Sequence, residues 1–401
     1  INLAEAGIEE AMMSIRNNDW SSWSPVFTDH YYRVFPHIGL GNGRRGLIKV
    51  YTSVLDSTAP IIFAEGRILS EYGNIKKQIR LDLSKKGLFA NGLTAKNQVT
   101  FNGNKIEIDS YDSDKGDYDS NTNRNDNGTV GSLAVTFGAI YVGNADIWGY
   151  VATGGGNPKI GSQGSVLGKD SPSGTKIDWD RVALDFYADF ADISAPTPST
   201  PITTVPSSGT IGIPSASSPT YYRVSGYSNS SSDSLVVDGP VVIIVNGSMT
   251  TMGTIEVTSN GSIEFYISGD VDIGGNGMVN TTNVPSKTML FGTATTAGSQ
   301  SIKIAGNGAL RAGIYAPNAN LELKGSGSGG EFMGAAVANN ITMTGNFDFH
   351  YDEALDSYSL DNGFKINRWR ELIYSDEKVP LDHPTEMTKY AVSYDTQPAF
   401  S

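Results

Sequence analysis

"LRAGIYAPNANLELKG" (residues 310–325) and "FMGAAVANNITMTG" (residues 332–345) decide how this chain of 401 residues is read. Each alternates apolar residues with polar or small ones, breaks at an asparagine and ends on a glycine. Gly313, Asn318 and Gly325 recur as Gly334, Asn339 and Gly345, which lie 21, 21 and 20 residues further on. Upstream, "VVIIVNG" closes at Gly247 and "IEFYISG" at Gly269, 22 residues apart. A period near twenty, with strand, turn and strand in each unit, is what a parallel β-helix requires. Its coils stack about 4.8 Å apart and turn alternate apolar residues inward. Gly and Asn would tolerate a left-handed backbone at the corners. The spacing predicts one stacked body from residues near 90–170 and 236–350. Ile302, Ile304, Ile314, Leu321, Leu323, Val337, Ile341 and Met343 are its expected inward residues. A sandwich of the same strands is the alternative.

Outward from this stretch, the chain divides by style. Residues 1–86 open with "INLAEAGIEEAMMSIR", whose Ile1, Ala4, Ile8, Ala11, Met12 and Ile15 form a stripe at helical spacing. The helix begins without a cap residue and reads as the tail of a longer one. Three strand-like runs follow, from Gly46, Ala59 and Ile75, joined by short polar breaks as in an antiparallel meander. Residues 87–194 carry short strands and an Asp/Asn-dense loop over 109–128, and "IDWDRVALDFYADF" from Ile177 admits a helix. The Pro/Ser/Thr-rich segment 195–219 reads as an extended insertion or linker, and 220–355 as the second part of the stacked body. Residues 356–401 form a C-terminal packing segment and tail, in which "GFKINRWRELI" from Gly363 would lie on the repeat. The expected class is mainly β: an N-terminal α-helix on an antiparallel meander, then a β-helix or solenoid-like head.

Composition removes several functions. A formal charge of −13 disfavours nucleic acid and anionic membrane surfaces, which need clustered Lys and Arg. The absence of cysteine excludes disulfides, thiolate metal sites and a Cys nucleophile. No segment reaches the ~18 consecutive apolar residues of a membrane span. The glycines Gly41, Gly43 and Gly46 have GxGxxG spacing, but a strand-like run follows them where a nucleotide site needs a helix, so they read as a turn. Gly168-Lys169 lacks the remainder of a phosphate loop. His30, His37, His350 and His383 show no HExxH or other supported metal spacing. Asp109 and the weak Ca²⁺ candidates Asp112, Asp114, Asp117 and Asp119 offer hard oxygens, without the glycine and glutamate of an EF-hand loop. "FHYDEAL" groups His350, Asp352 and Glu353 where the repeat stops, which favours a terminal cap over acid–base work.

"NLAEAGIEEAM" (residues 2–12) resembles the helix that follows the membrane segment in PilX-like type IV pilus accessory proteins. "IEIDSYDS" (106–113), "GIYAPNANLELKG" and "FHYDEAL" are similar to phrases in the large β-rich head of such pilin-like proteins. The resemblance implies a prepilin-type leader, a hydrophobic N-terminal helix, and other pilin or pseudopilin subunits as partners. It also implies an envelope or surface location, with membrane anchoring before assembly. The polar residues after Glu5 keep it from the role that a glutamate plays in mature pilins. The expected function is a non-enzymatic pilin-like subunit, tip or priming protein without a cofactor, with a surface glycan or protein as a further possible ligand. A secreted β-helix carbohydrate-active enzyme and a glycan- or protein-binding adhesin are the alternatives.

Overall fold

The computed structural model describes residues 1–391 apart from 58, 72, 86, 275–276, 307–308, 326–329, 361–363 and 376. The expected segment from Gly363 therefore starts outside the described residues, as does the side chain of His37. The chain forms two compact units, one of residues 1–87 with 359–401 and one of 88–358.

In the smaller unit the apolar stripe makes helix α1 (Asn2–Asn17), which stops at Asn18 in a left-handed conformation, φ 48°. Ala4, Ile8, Ala11 and Ile15 are buried against Val50, Ile62, Ala64, Ile79 and Leu81. Those partners alternate along strands of a six-stranded antiparallel sheet. Its order is Ser24–Phe27, His30–Gly39, Arg45–Ser53, Ile61–Ser70, Gly73–Lys85 and Phe364–Glu371. Residues 40–44, including Gly41 and Gly43, make the turn between the second and third strands. Helix and sheet approach closely at Gly66, where an added Cβ would lie 2.7 Å from the backbone nitrogen of Ala4.

The opposite face of the sheet is also covered. Tyr51, Ile61 and Phe63 pack with Leu372, Val379, Leu381 and Met387. The C-terminal segment thus completes this unit, and its strand 364–371 pairs with 73–85 (Trp369 opposite Leu81) rather than packing on the repeat. The pairing supplies backbone partners to a strand that local pattern alone leaves ambiguous. Beneath the segment, Gln78 exchanges two 2.9 Å hydrogen bonds with the backbone of Val379 and donates to Glu65 at 2.6 Å. Burial pushes the Glu65 carboxyl up, but hydrogen bonds from Lys76, Gln78 and Arg67 outweigh it and hold the group below its ordinary range.

The larger unit consists of parallel strands stacked on three faces. On one face the inward ladder runs Tyr222, Ile243, Phe265, Leu290, Ile314, Ala336, Leu93, Val130 and Val151, each paired with the next. The order is not that of the sequence. The chain enters at residue 88 in mid-stack and winds to one end near Val182–Ala183. Residues 184–208 then pass back along the stack, and from Gly209–Ile211 the chain winds up to meet its own first strand. The seam is the parallel pairing of Gly330–Thr344 with Leu93–Phe101. Entry and exit lie side by side, Leu88 N donating to Tyr358 O at 2.8 Å.

The returning segment bonds to rungs at both ends and in the middle of the stack. Phe186 N donates to Thr153 O, Tyr315 Oη to Ala191 O, Arg223 Nη2 to Pro196 O, and Ile202 N to Tyr221 O, at 2.7–3.0 Å. A Pro-rich strand suits this task because it has few backbone donors to satisfy. It helps cover the face whose outward residues Ile244, Tyr266, Phe291, Tyr315 and Val337 are all buried. Burial on both sides explains the unbroken apolar run "VVIIV". The neighbouring face carries the outward ladder Ser228, Thr250, Asp272, Lys303, Glu322, Thr342 and Thr100, polar throughout and alternating in charge at its centre.

All eight expected inward residues are buried, but Val337 is buried on the outer side: Ala336 takes the inward place beside Ile314, and Val337 pairs with the outward Tyr315. Two further local expectations need correction. The corner residues Asn318 and Asn339 do not have positive φ. They join a side-chain network instead, with Asn97 donating to Asn339 at 2.7 Å and Lys96 to Asn318 at 2.8 Å. The segment from Ile177 holds only a short 3₁₀ turn, Trp179–Arg181, followed by the short strand Val182–Ala183.

Gly66→Val forces side-chain bulk between α1 and its sheet and is expected to destabilise the smaller unit by about 1–3 kcal/mol in chemical denaturation. Because the folded-state pKa of Glu65 is lowered, its stabilisation is present above the ordinary glutamate range and is lost as pH falls through the folded value. Glu65→Gln should therefore flatten the acid limb of this unit's unfolding-midpoint profile.

Candidate functional site

Parallel in-register stacking turns residues from distant parts of the chain into columns whose members lie about 4.8 Å apart. On the third face of the larger unit, one outward column holds Glu331 beside Asp348, and Glu107 beside Asp146. Glu107 N donates to Asp348 Oδ1 at 2.8 Å and so links the two pairs. Burial, and then the charges of Glu107 and Glu331 among smaller effects, push the Asp348 carboxyl up. The adjacent column holds Met333, His350 and Asp109, and on the two following rungs Trp148 and Leu167.

Asp109 is fully buried and has three charged or polar partners. It hydrogen-bonds to His350 Nδ1 at 2.5 Å and Tyr118 Oη at 2.7 Å, and Arg124 Nε forms an ion pair with it at 2.8 Å. Tyr118 stacks on the His350 ring, with centroids 3.7 Å apart. Burial, reinforced by the hydrogen bond to Asp109, drives the Tyr118 hydroxyl pKa far up, so it stays a donor. Arg124 also pairs with Glu107 and sets its guanidinium 5.3 Å from the centre of the Trp148 ring. Asp352 accepts from Ser113 N at 2.9 Å and Ser113 Oγ at 2.8 Å, while Glu353 accepts from Ser110 Oγ at 2.7 Å and Asn127 Nδ2 at 2.9 Å. Burial nevertheless raises the Asp352 pKa.

These contacts pin the acidic loop to the stack. The histidine group does not end the stack as a cap: its strand Phe347–Asp352 lies between Gly330–Thr344 and Asn104–Tyr111. Repetition in the sequence stops there only because the next rung comes from the front of the chain. Among the described residues, His350 makes one side-chain hydrogen bond, to Asp109, and no hydroxyl or amine nucleophile meets its second nitrogen.

The calcium candidates are dispersed. Asp112 caps the 3₁₀ turn Ser113–Lys115 and pairs with Lys115 at 2.9 Å. Asp117 lies 3.8 Å from Arg311. Asp119 is held below its ordinary range by backbone N–H bonds from Asn121 and Thr122, and Asp114 is exposed. Among the described residues no group of three or more His, Cys, Asp or Glu is arranged to hold a metal ion.

Beside the loop lie two open cavities of about 510 and 430 Å³ that share Trp148 and Lys169. The first is bordered by loop residues 120–126, the second by the turn over 167–175. Their rim is tied together by Asp126, which accepts from Arg181 Nη2 at 2.7 Å and from Lys169 N at 2.8 Å. Burial works against the Asp126 charge, but these contacts prevail and lower its pKa. Tyr118, Arg124 and Trp148 went unremarked in the sequence. The available signal was alternation in "NADIWGYVAT": with Ile147 and Val151 inward, Trp148 and Tyr150 must face outward.

Residues 207–358 match the family model of a domain of unknown function (DUF7305), a match that ends at the last residue of the larger unit. No protein of curated function matches the chain. Among solved structures it is similar to the crystal structure of the competence-associated pilin ComZ from Thermus thermophilus. Identity is 11%, the alignment covers 92% of this chain and 96% of that one, and the TM-score is 0.27. A likeness this remote carries no functional argument.

Asp109→Asn removes the charge that His350, Tyr118 and Arg124 share. It should cost on the order of 3 kcal/mol of stability and speed amide exchange in residues 112–127 while leaving the strand Pro240–Val245 protected. Unchanged exchange in the loop would show that Asp109 does not hold it.

Proposed function

We propose that this chain is a non-enzymatic structural component of a type IV pilus or pseudopilus-like cell-surface system, and that its larger unit is a parallel β-helix serving as the head. The observation that carries this reading is the amphipathic helix α1 lying on an antiparallel meander, with Ala4, Ile8, Ala11 and Ile15 facing the sheet. Its residues 2–12 are also the phrase that resembles PilX-like accessory proteins. A hydrophobic continuation ahead of this helix would join other pilin or pseudopilin subunits and anchor the protein before assembly. The β-helix reading rests on parallel pairing at a period near twenty on three faces, and on inward ladders that remain apolar from rung to rung. The non-enzymatic reading is supported by the use made of the histidine group: His350, Asp352 and Glu353 bind the loop rather than border the cavities.

The test is fractionation of the source cells with an antibody to the larger unit. The protein should co-purify with sheared surface filaments or the envelope, and leave the filament fraction when the pilus assembly ATPase is deleted. Free secretion that is indifferent to that deletion would contradict the proposal.

A further inference from the structure

We propose that the paired cavities on either side of Trp148 bind an oligosaccharide. Five observations bear on the ligand class. First, Trp148 is half-buried on a rigid strand and borders both cavities, so a fixed flat ring lies at the centre of the groove. The C–H faces of pyranose rings stack on such surfaces, while their hydroxyls require donors and acceptors at the edges. Second, those groups are present and carry no hydrogen bonds. Among the described residues, the side-chain amides of Asn121 and Asn125, the Lys169 ammonium and the Trp148 indole N–H make no hydrogen bond, though all four residues line the first cavity. Third, Ser173 and Thr175 border the second cavity, so polar groups continue beyond Trp148, and the shared residues make room for more than one sugar ring.

Fourth, the groove is held in shape without a ligand. Asn123 Nδ2 donates to the carbonyls of Asp112, Gly116 and Asp117 at 2.9–3.1 Å, and Arg181 locks Asp126 at the rim. Pre-organisation of this kind reduces the ordering cost of binding. Fifth, the alternatives fit less well. An apolar peptide would need an apolar trough, and nucleic acid would need free cations. Arg124 and Arg181 are already paired with Glu107, Asp109 and Asp126, which leaves Lys169 as the cation able to favour an acidic sugar. This inference stands apart from the pilus reading, since it concerns the purified chain and holds or fails whatever the cellular location.

The experiment exposes the whole chain to an array of immobilised neutral oligomers (glucose, N-acetylglucosamine) and acidic oligomers (uronic acids), then measures the strongest binder by calorimetry. Saturable binding to at least one class is expected. Trp148→Ala should weaken it tenfold or more, a loss of about 1.4 kcal/mol, and the double substitution Asn121→Ala/Asn125→Ala should weaken it without lowering the unfolding midpoint. Lys169→Ala should weaken acidic sugars selectively. Absence of binding across the array, or equal binding by Trp148→Ala, overturns the proposal.

Discussion

The larger unit depends on one backbone junction, the parallel pairing of residues 336–343 with 93–101, continued by that of 349–352 with 108–111. The other rungs pair with neighbours closer in sequence, so local winding can form them. The seam joins segments more than two hundred residues apart, and a loop that long carries a closure cost which local contacts cannot offset. What compensates is apolar burial across the seam: Ala336 on Leu93, Ile341 on Val99 and Met343 on Phe101, all inward and inaccessible. The returning strap over 184–208 follows from the same arrangement. A chain that starts in mid-stack and ends in mid-stack must travel the length of the body once outside it.

The seam also creates the site. His350 and Asp109 are 241 positions apart, yet they are neighbours in one outward column because their strands are adjacent rungs. Their pairing fastens the loop that walls the first cavity. Trp148 sits one rung further on, so the geometry of the groove descends from the junction through Asp109 and Arg124. Acidic residues crowded on this face are tolerated for the same reason: Arg124 and Arg181 answer Glu107, Asp109 and Asp126, while Asp348 and Asp352 have raised pKa values.

Much of the local design was legible in the sequence. Alternation in residues 310–325 and 332–345 identified most of the inward residues, and a 3.6-residue stripe identified the helix face. Periodicity reports which side of an element is buried where only one side is. It says little where both sides are buried, as in "VVIIV" and at Val337, or where an extended strap is held by backbone bonds. It says nothing of strand order, because hydrogen-bonded neighbours in a parallel stack need no sequence proximity. For that reason the histidine group looked like an end, the C-terminal segment looked as if it lay on the repeat, and the aspartates offered no more than weak metal candidates. Asp109 belongs to a buried pair with His350, and Asp112 and Asp119 cap their own turns.

The seam can be tested in a chain that contains no cysteine. Thr342 and Thr100 are paired outward residues across it, and Thr342 and Glu322 are paired outward residues across an ordinary rung. Adjacent strands lie within the ~4.4–6.8 Å Cα separation that a disulfide spans. Under mild oxidation Thr342→Cys/Thr100→Cys should cross-link as readily as the control Thr342→Cys/Glu322→Cys, with no loss of folded structure. Closure of the control pair alone would mean that the two halves of the chain do not stack on one another, and would contradict this account of the fold.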